Sequence, residues 1–207
     1  MKLYSNTLVE GARIPAEHAL GVPGSQGPVP GANRSPHLRW ADFPVATRSF
    51  AILCVDPDVP SRGETVNRSD CTVPYELPRV DFYHWILTDL PASLTELAEG
   101  QDADGLVPRG KSPGQTAVGV RGINDYTNWF AGDVAMSGDY GGYDGPWPPF
   151  NDERLHHYRF TVYALDVPTL NLAPRSTGTQ ALAALHGHVL DQASITVTYS
   201  LYPAARA

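Results

Sequence analysis

Ser49-Phe-Ala-Ile-Leu-Cys-Val-Asp-Pro-Asp-Val-Pro-Ser-Arg62 joins an apolar run directly to two carboxylates set among prolines. The run 49–55 is short, contains β-branched residues and stops at Pro57, so it predicts a buried strand. Asp56 and Asp58 then stand at its mouth. Pro57 and Pro60 limit φ on either side of Asp58 and stiffen the turn. Aspartates commonly do no more than cap such turns. A rigid loop at a strand end is also where binding groups are carried, so the remaining chain has to decide between the two.

Outward from this stretch the same pattern recurs. The segment 81–88 (Asp-Phe-Tyr-His-Trp-Ile-Leu-Thr) is dense in aromatic and β-branched residues and predicts a central strand. The segment 157–165 alternates, with Tyr158, Phe160, Val162 and Ala164 on one face and Arg159, Thr161, Tyr163 and Leu165 on the other. Residues 194–200 alternate as a closing strand, Leu38 and Trp40 mark a half-buried one, and 116–120 a short one. Residues 1 to about 36 are mostly irregular, with a proline-rich loop over 21–31 laid on a sheet. Segments 62–79 and 100–114 read as loops, the first a long polar surface insert.

Two helices are expected. Ser93-Leu-Thr-Glu96 fits a capping box opening a short helix through about 99. Residues 179–192 form the other, with Leu182, Leu185 and Val189 as its apolar stripe. Many strands and few helices, outside any βα alternation, give a mainly β fold: an antiparallel sandwich with a few peripheral short helices.

The bulk numbers agree. The 207 residues suit a single domain, 1–207, and 42% hydrophobic residues can fill its core. The 19 glycines and 19 prolines suit a loop-rich β architecture. A net charge of −7 argues against a non-specific nucleic-acid or anionic-membrane binder. The N-terminus shows no signal-peptide pattern and no apolar run approaches a membrane span, so a cytoplasmic location is expected. Cys54 and Cys71 are expected to stay reduced there.

Of the seven histidines, His84 lies inside one strand, and His156 and His157 begin another, where neighbours face opposite sides. A lone buried histidine is more often a core residue than a ligand. His186-Gly-His188 does not share a helix face, so no metal site is expected. The nucleophile-elbow, HExxH, phosphate-loop and dinucleotide patterns are missing. No cofactor is expected. Residues 122–150 have little periodicity but many Gly, Asp, Tyr and Trp residues, as a packed loop with a role would.

Asp56-Pro-Asp-Val-Pro60, the His84-Trp85 strand, Gly145-Pro-Trp-Pro-Pro149 and His156-His-Tyr158 occur in an order that resembles the phosphatidylethanolamine-binding protein family. The resemblance covers roughly 36–200 and is greatest to the bacterial and archaeal, Raf kinase inhibitor-like branch. It implies a sandwich of a large and a small sheet with a small anion pocket at one end for phosphate-like groups. Motif by motif it assigns Asp56, Asp58, His84, Gly145, Pro148, Pro149, His156 and Tyr158 to that pocket. The long insert before His84, Phe82 in place of a frequent tryptophan, and Trp147 within the proline loop depart from the pattern.

A carboxylate beside an imidazole favours the imidazolium, so a protonated His84 or His156 is expected to donate to the anion. Gly145 would add a backbone N–H, and Tyr158 its hydroxyl. The expected function is a non-enzymatic binding or modulator protein for a phosphomonoester, phospholipid head group or phospho-amino acid. The same resemblance suggests inhibition of a kinase or protease through the aromatic stretch 126–150, which would also suit a homodimer. The alternative is a hydrolase using Asp56, His84 and His156.

Overall fold

Strand β5 spans Ser49–Pro60; over 50–55 it is paired on both edges and covered on both faces, which is why that part of its sequence is continuously apolar. The computed structural model describes residues 1–205. In chain order the strands are β1 (Lys2–Tyr4), β2 (Gly21–Val22), β3 (Val29–Pro30), β4 (Leu38–Ala41), β5, β6 (Arg79–Pro91), β7 (Glu96–Leu97), β8 (Gly114–Gln115), β9 (Val120–Arg121), β10 (His156–Leu165) and β11 (Val189–Tyr199). Two short helices, α1 (Tyr126–Trp129) and α2 (Gly178–Leu185), interrupt them.

The large sheet has the order β11-β10-β5-β6-β9-β8, and the small sheet β1-β4-β7; all their pairings are antiparallel. β2 and β3 form a separate ribbon. Between the two sheets lies the main core: Leu38 and Trp40 from the small sheet meet Phe50, Ile52, Trp85, Phe160 and Val162 from the large one. On the other face of the large sheet, Ala51, Leu53 and Val55 pack with Tyr83 and Ile86 against Ala181 and Leu185 of α2. The alternation 50/52/54 against 51/53/55 thus divides β5 between two cores. Among the described residues no helix is long and apolar enough to cross a membrane.

Several local expectations need correction. Residues 93–99 form no helix. Glu96 and Leu97 pair with Arg39 and Leu38 as the edge of the small sheet, and the Glu96 carboxylate bonds His37 Nε2 at 2.8 Å. Burial of Leu97 there outweighs the capping-box signal. Residues 116–119 are the turn of a hairpin, not a strand, with Thr116 Oγ1 accepting from the Val118 and Gly119 amides.

The helix expected over 179–192 ends at Leu185, and residues from Val189 onward join β10 as a long edge strand. Gly187, at φ +84, makes the stop. Leu182 and Val189 are therefore exposed; Leu185 alone of the proposed stripe is buried, beside Ala181. Residues 1–36 are more built than their sequence suggests. β1 pairs with β4, and Leu8, Ile14 and Leu20 are buried.

Candidate functional site

Three strands deliver the polar groups to one end of the large sheet. Beyond Val55 the β5–β6 register shifts between Asp56 and Val59. Such a bulge re-aims side chains. Asp56 turns inward, with its Oδ1 accepting the Asp58 amide at 2.8 Å. β10 begins at His156, which is fully buried, whereas its neighbour His157 is half exposed and bonds Asp58 Oδ2 through Nδ1 at 2.8 Å. Two residues on, Tyr158 shares the inward face of His156.

Asp56, His84, Pro148, Pro149, His156 and Tyr158 line one cavity of about 140 Å³. Phe82, Tyr126, Trp129 and Trp147 give it aromatic walls; Arg62, Val66 and Asn67 of the polar insert complete the rim. Sequence reasoning did not single out Tyr126, Trp129, Arg62, Val66 or Asn67.

Asp58 and Gly145 do not line the cavity. Asp58 supports the outer side, bonded to the His157 amide at 3.1 Å and paired with Arg154 at 3.5 Å. The Gly145 amide, expected to face a ligand, donates instead to Asn33 Oδ1 at 2.8 Å, and its carbonyl accepts the Tyr126 hydroxyl at 2.8 Å. Glycine is required here by space: a Cβ would collide with the His18 carbonyl.

His156 is held at both nitrogens. Its Nδ1 donates to Asp56 Oδ2 at 2.6 Å and its Nε2 to Asp152 Oδ2 at 3.1 Å. Asp152 is in turn gripped by Arg79, Nη1 at 2.6 Å and Nη2 at 3.0 Å. Burial by itself lowers the His156 pKa, but Asp56 and Asp152 outweigh it and raise it from 6.5 to about 9. Burial likewise works against ionised Asp56 and Asp152. His156, with Arg79 also on Asp152, outweighs it, so both carboxyls lie below their usual range. The four groups sum to zero charge, which is how so buried a cluster is tolerated. Arg79 and Asp152 escaped sequence reasoning because the clamp joins the start of β6 to a loop and no local motif marks it.

His84 behaves oppositely. Its Nδ1 lies 2.9 Å from the Asp144 carbonyl, which can only accept, so Nδ1 carries a proton. The Asp144 amide donates back to the His84 carbonyl at 2.9 Å. Asp144 itself is fixed by Asn33, Lys111 and Asn124 at 2.7, 2.8 and 2.9 Å. Burial lowers the His84 pKa more than Asp56 raises it, so the ring is neutral at neutral pH. Its Nε2 has no protein partner among the described residues and presents a lone pair to the cavity.

The expected donors are therefore corrected. His84 is an acceptor, both His156 protons are committed, and the Tyr158 hydroxyl is engaged with Asp56. Among the described residues no hydroxyl or thiol hydrogen-bonds either ring, so the pair that activates a nucleophile is not assembled. Among those residues, no three His, Cys, Asp or Glu side chains are grouped to hold a metal ion, and His188 pairs with Asp166 at the surface.

Comparison with known proteins fits this layout. The family model described as phosphatidylethanolamine-binding protein matches residues 4–200. This chain belongs to the phosphatidylethanolamine-binding protein family. The match begins well before residue 36, taking in the N-terminal segment that packs against the sandwich. The chain is 32% identical to the UPF0098 protein YbhB of Escherichia coli, over 97% of this chain and 100% of that protein. It is 30% identical to a UPF0098 protein of Methanothermobacter thermautotrophicus, over 96% and 98%. The crystal structure of Escherichia coli YbcL, described as a new member of the mammalian family, superposes with a TM-score of 0.68 at 26% identity, covering 96% of this chain and 97% of that one. A family homologue from Chlamydia trachomatis, CT736, gives 0.62 at 27% identity, covering 96% of each chain. Family membership makes this a binding-type protein.

Proposed function

We propose that the protein is a binding protein whose end-of-sheet cavity takes a small phosphate-like head group with an apolar neighbour. One observation carries this. A cavity of about 140 Å³ combines a polar floor, Asp56 and His84, with aromatic walls and a cationic rim residue, Arg62. Ligand sites are concave, mostly apolar, and oriented by a few converging polar groups. Among the described residues Arg62 makes no ion pair, so its charge is available to an anion.

The Asp56–His156–Asp152–Arg79 chain supports the floor by fixing Asp56, and the Asp144 network fixes His84. Such pre-organisation lowers the cost of capture. On the same reading, the half-exposed Trp129 at the mouth is the contact for a protein partner, such as a kinase or protease.

The test is a titration of phenyl phosphate into isotopically labelled protein. Shifts should concentrate at Phe82, His84, Tyr126, Trp129, Trp147 and Arg62, and Arg62→Ala should weaken binding. Shifts scattered over the surface, or none, would overturn the proposal.

A further inference from the structure

The cavity floor can be read atom by atom as donors and acceptors. His156 uses Nδ1 on Asp56 and Nε2 on Asp152. The Tyr126 hydroxyl is given to the Gly145 carbonyl. The buried Tyr158 hydroxyl is given to the Asp56 carboxylate, and burial together with that carboxylate keeps the phenol protonated. Arg79 is spent on Asp152. What remains for a ligand at the floor is the Nε2 lone pair of His84 and the unused lone pairs of Asp56. Both can only accept.

We propose, resting on the head-group reading above, that this cavity selects the monoprotonated phosphate and rejects equally shaped anions that bring no proton of their own. The P–OH of a phosphomonoester monoanion would donate to His84 Nε2 or to Asp56, while its unprotonated oxygens turn toward Arg62 at the rim. A dianion, or a sulfate ester, would set a bare oxygen against a carboxylate and a lone pair. A site built to accept from a ligand's hydroxyl discriminates strongly against analogues without one, because its buried acceptor is then left unpaired.

His84 is faced by Asp56 from β5, by His156 and Tyr158 from β10, by Asp144 from the loop before β10, and by Tyr126 from α1. The two tyrosines stay neutral, because burial pushes their phenols well above the ordinary 10. Asp56, held below the usual carboxylate range, stays ionised, and His156 stays charged until about pH 9. Between about pH 5.5 and 8 the ligand therefore changes protonation while Asp56 and His156 keep theirs, and His84, held by burial below its ordinary 6.5, is neutral over the upper part of that range. The second proton of a phosphomonoester leaves near pH 6.

Calorimetry with phenyl phosphate, phenylphosphonate and phenyl sulfate over that range tests this. Phenyl phosphate affinity should fall about tenfold per pH unit above its own second ionisation. Phenylphosphonate, which holds its second proton more tightly, should show the same fall displaced to higher pH. Phenyl sulfate should bind at least about tenfold more weakly than phenyl phosphate at the acid end. Asp56→Asn, which offers an amide donor, should narrow that gap; if it melts early, the displaced midpoints of the two wild-type titrations carry the test alone.

Equal affinity for sulfate and phosphate would overturn the proposal but leave the head-group reading standing, as would one shared midpoint for phosphate and phosphonate. Tighter binding of 2-phenylethylamine would overturn it in favour of a cation. Failure of every probe at every pH would remove the head-group reading as well.

Discussion

Replacing His156 with Gln takes a positive charge from between two buried carboxylates. The side chains of His156, Asp56 and Asp152 are 0%, 1% and 1% exposed. Asp152 keeps Arg79, but among the described residues His156 is the only ion-pair partner of Asp56. Removing one member of a buried pair costs about 3–5 kcal/mol. A second route gives a similar size. A pKa raised from 6.5 to about 9 corresponds to about 3 kcal/mol of preference for the charged ring.

The sign follows from linkage. His156 binds its proton more tightly folded than unfolded, so its contribution is complete below pH 6.5 and is lost as pH rises to about 9. Cys54, whose thiol burial pushes up, adds a loss of the same sign only above its ordinary 9. Urea unfolding between about pH 6 and 9 is the assay. The parent protein should lose about 3 kcal/mol across the window through His156, offset by less than about 1 kcal/mol near pH 6 to 6.5, where His84, its folded pKa depressed, adds stability as pH rises. His156→Gln should start about 3–5 kcal/mol lower and show no such slope. A variant within about 1 kcal/mol of the parent at pH 6, or a parent with flat stability across the window, would refute the buried clamp.

Other outcomes follow from the same geometry. Asn151 ties the insert to the loop before β10, with Nδ2 donating to the Thr65 and Cys71 carbonyls at 2.8 Å each and Oδ1 accepting the Asn67 amide at 3.0 Å. Asn151→Ala should speed limited proteolysis within 62–78 and weaken phenyl phosphate binding, while leaving amide exchange in β5 and β10 slow. Gly145→Ala has no room for its methyl against the His18 carbonyl and should cost about 1–3 kcal/mol, read as a lower melting temperature. Cys71, partly exposed, should react with a thiol reagent in the native protein, whereas buried Cys54 should react only on unfolding.

The strands that carry the fold were legible because their patterns match their burial. The run 50–55 is apolar throughout because that part of β5 is covered on both faces, and 158/160/162/164 alternates because it faces the main core. The sequence misleads where a local signal competes with a distant one. Ser93 to Glu96 reads as a helix start, yet Leu97 gains more by closing the small sheet. The stripe Leu182, Leu185 and Val189 runs past Gly187, a stop signal visible in the sequence but outweighed by the periodicity.

At the site, Asp56, His84, His156 and Tyr158 were identifiable as residues, but their protonation was not. That depends on Asp152 and Arg79 for one histidine and on the Asp144 carbonyl for the other, partners that only the folded chain supplies. Neighbouring carboxylates raise one imidazole and fail to raise the other, because burial of His84 is not matched by a direct ion pair.

Nitrogen-15 NMR of the histidine rings from about pH 5.5 to 8.5 is the most direct measurement of these two opposed states. His156 should show two protonated nitrogens throughout, and His84 a neutral ring protonated at Nδ1 near neutral pH. A His156 that titrates near 6.5, or a His84 ring charged at pH 7, would contradict the account of the cavity floor.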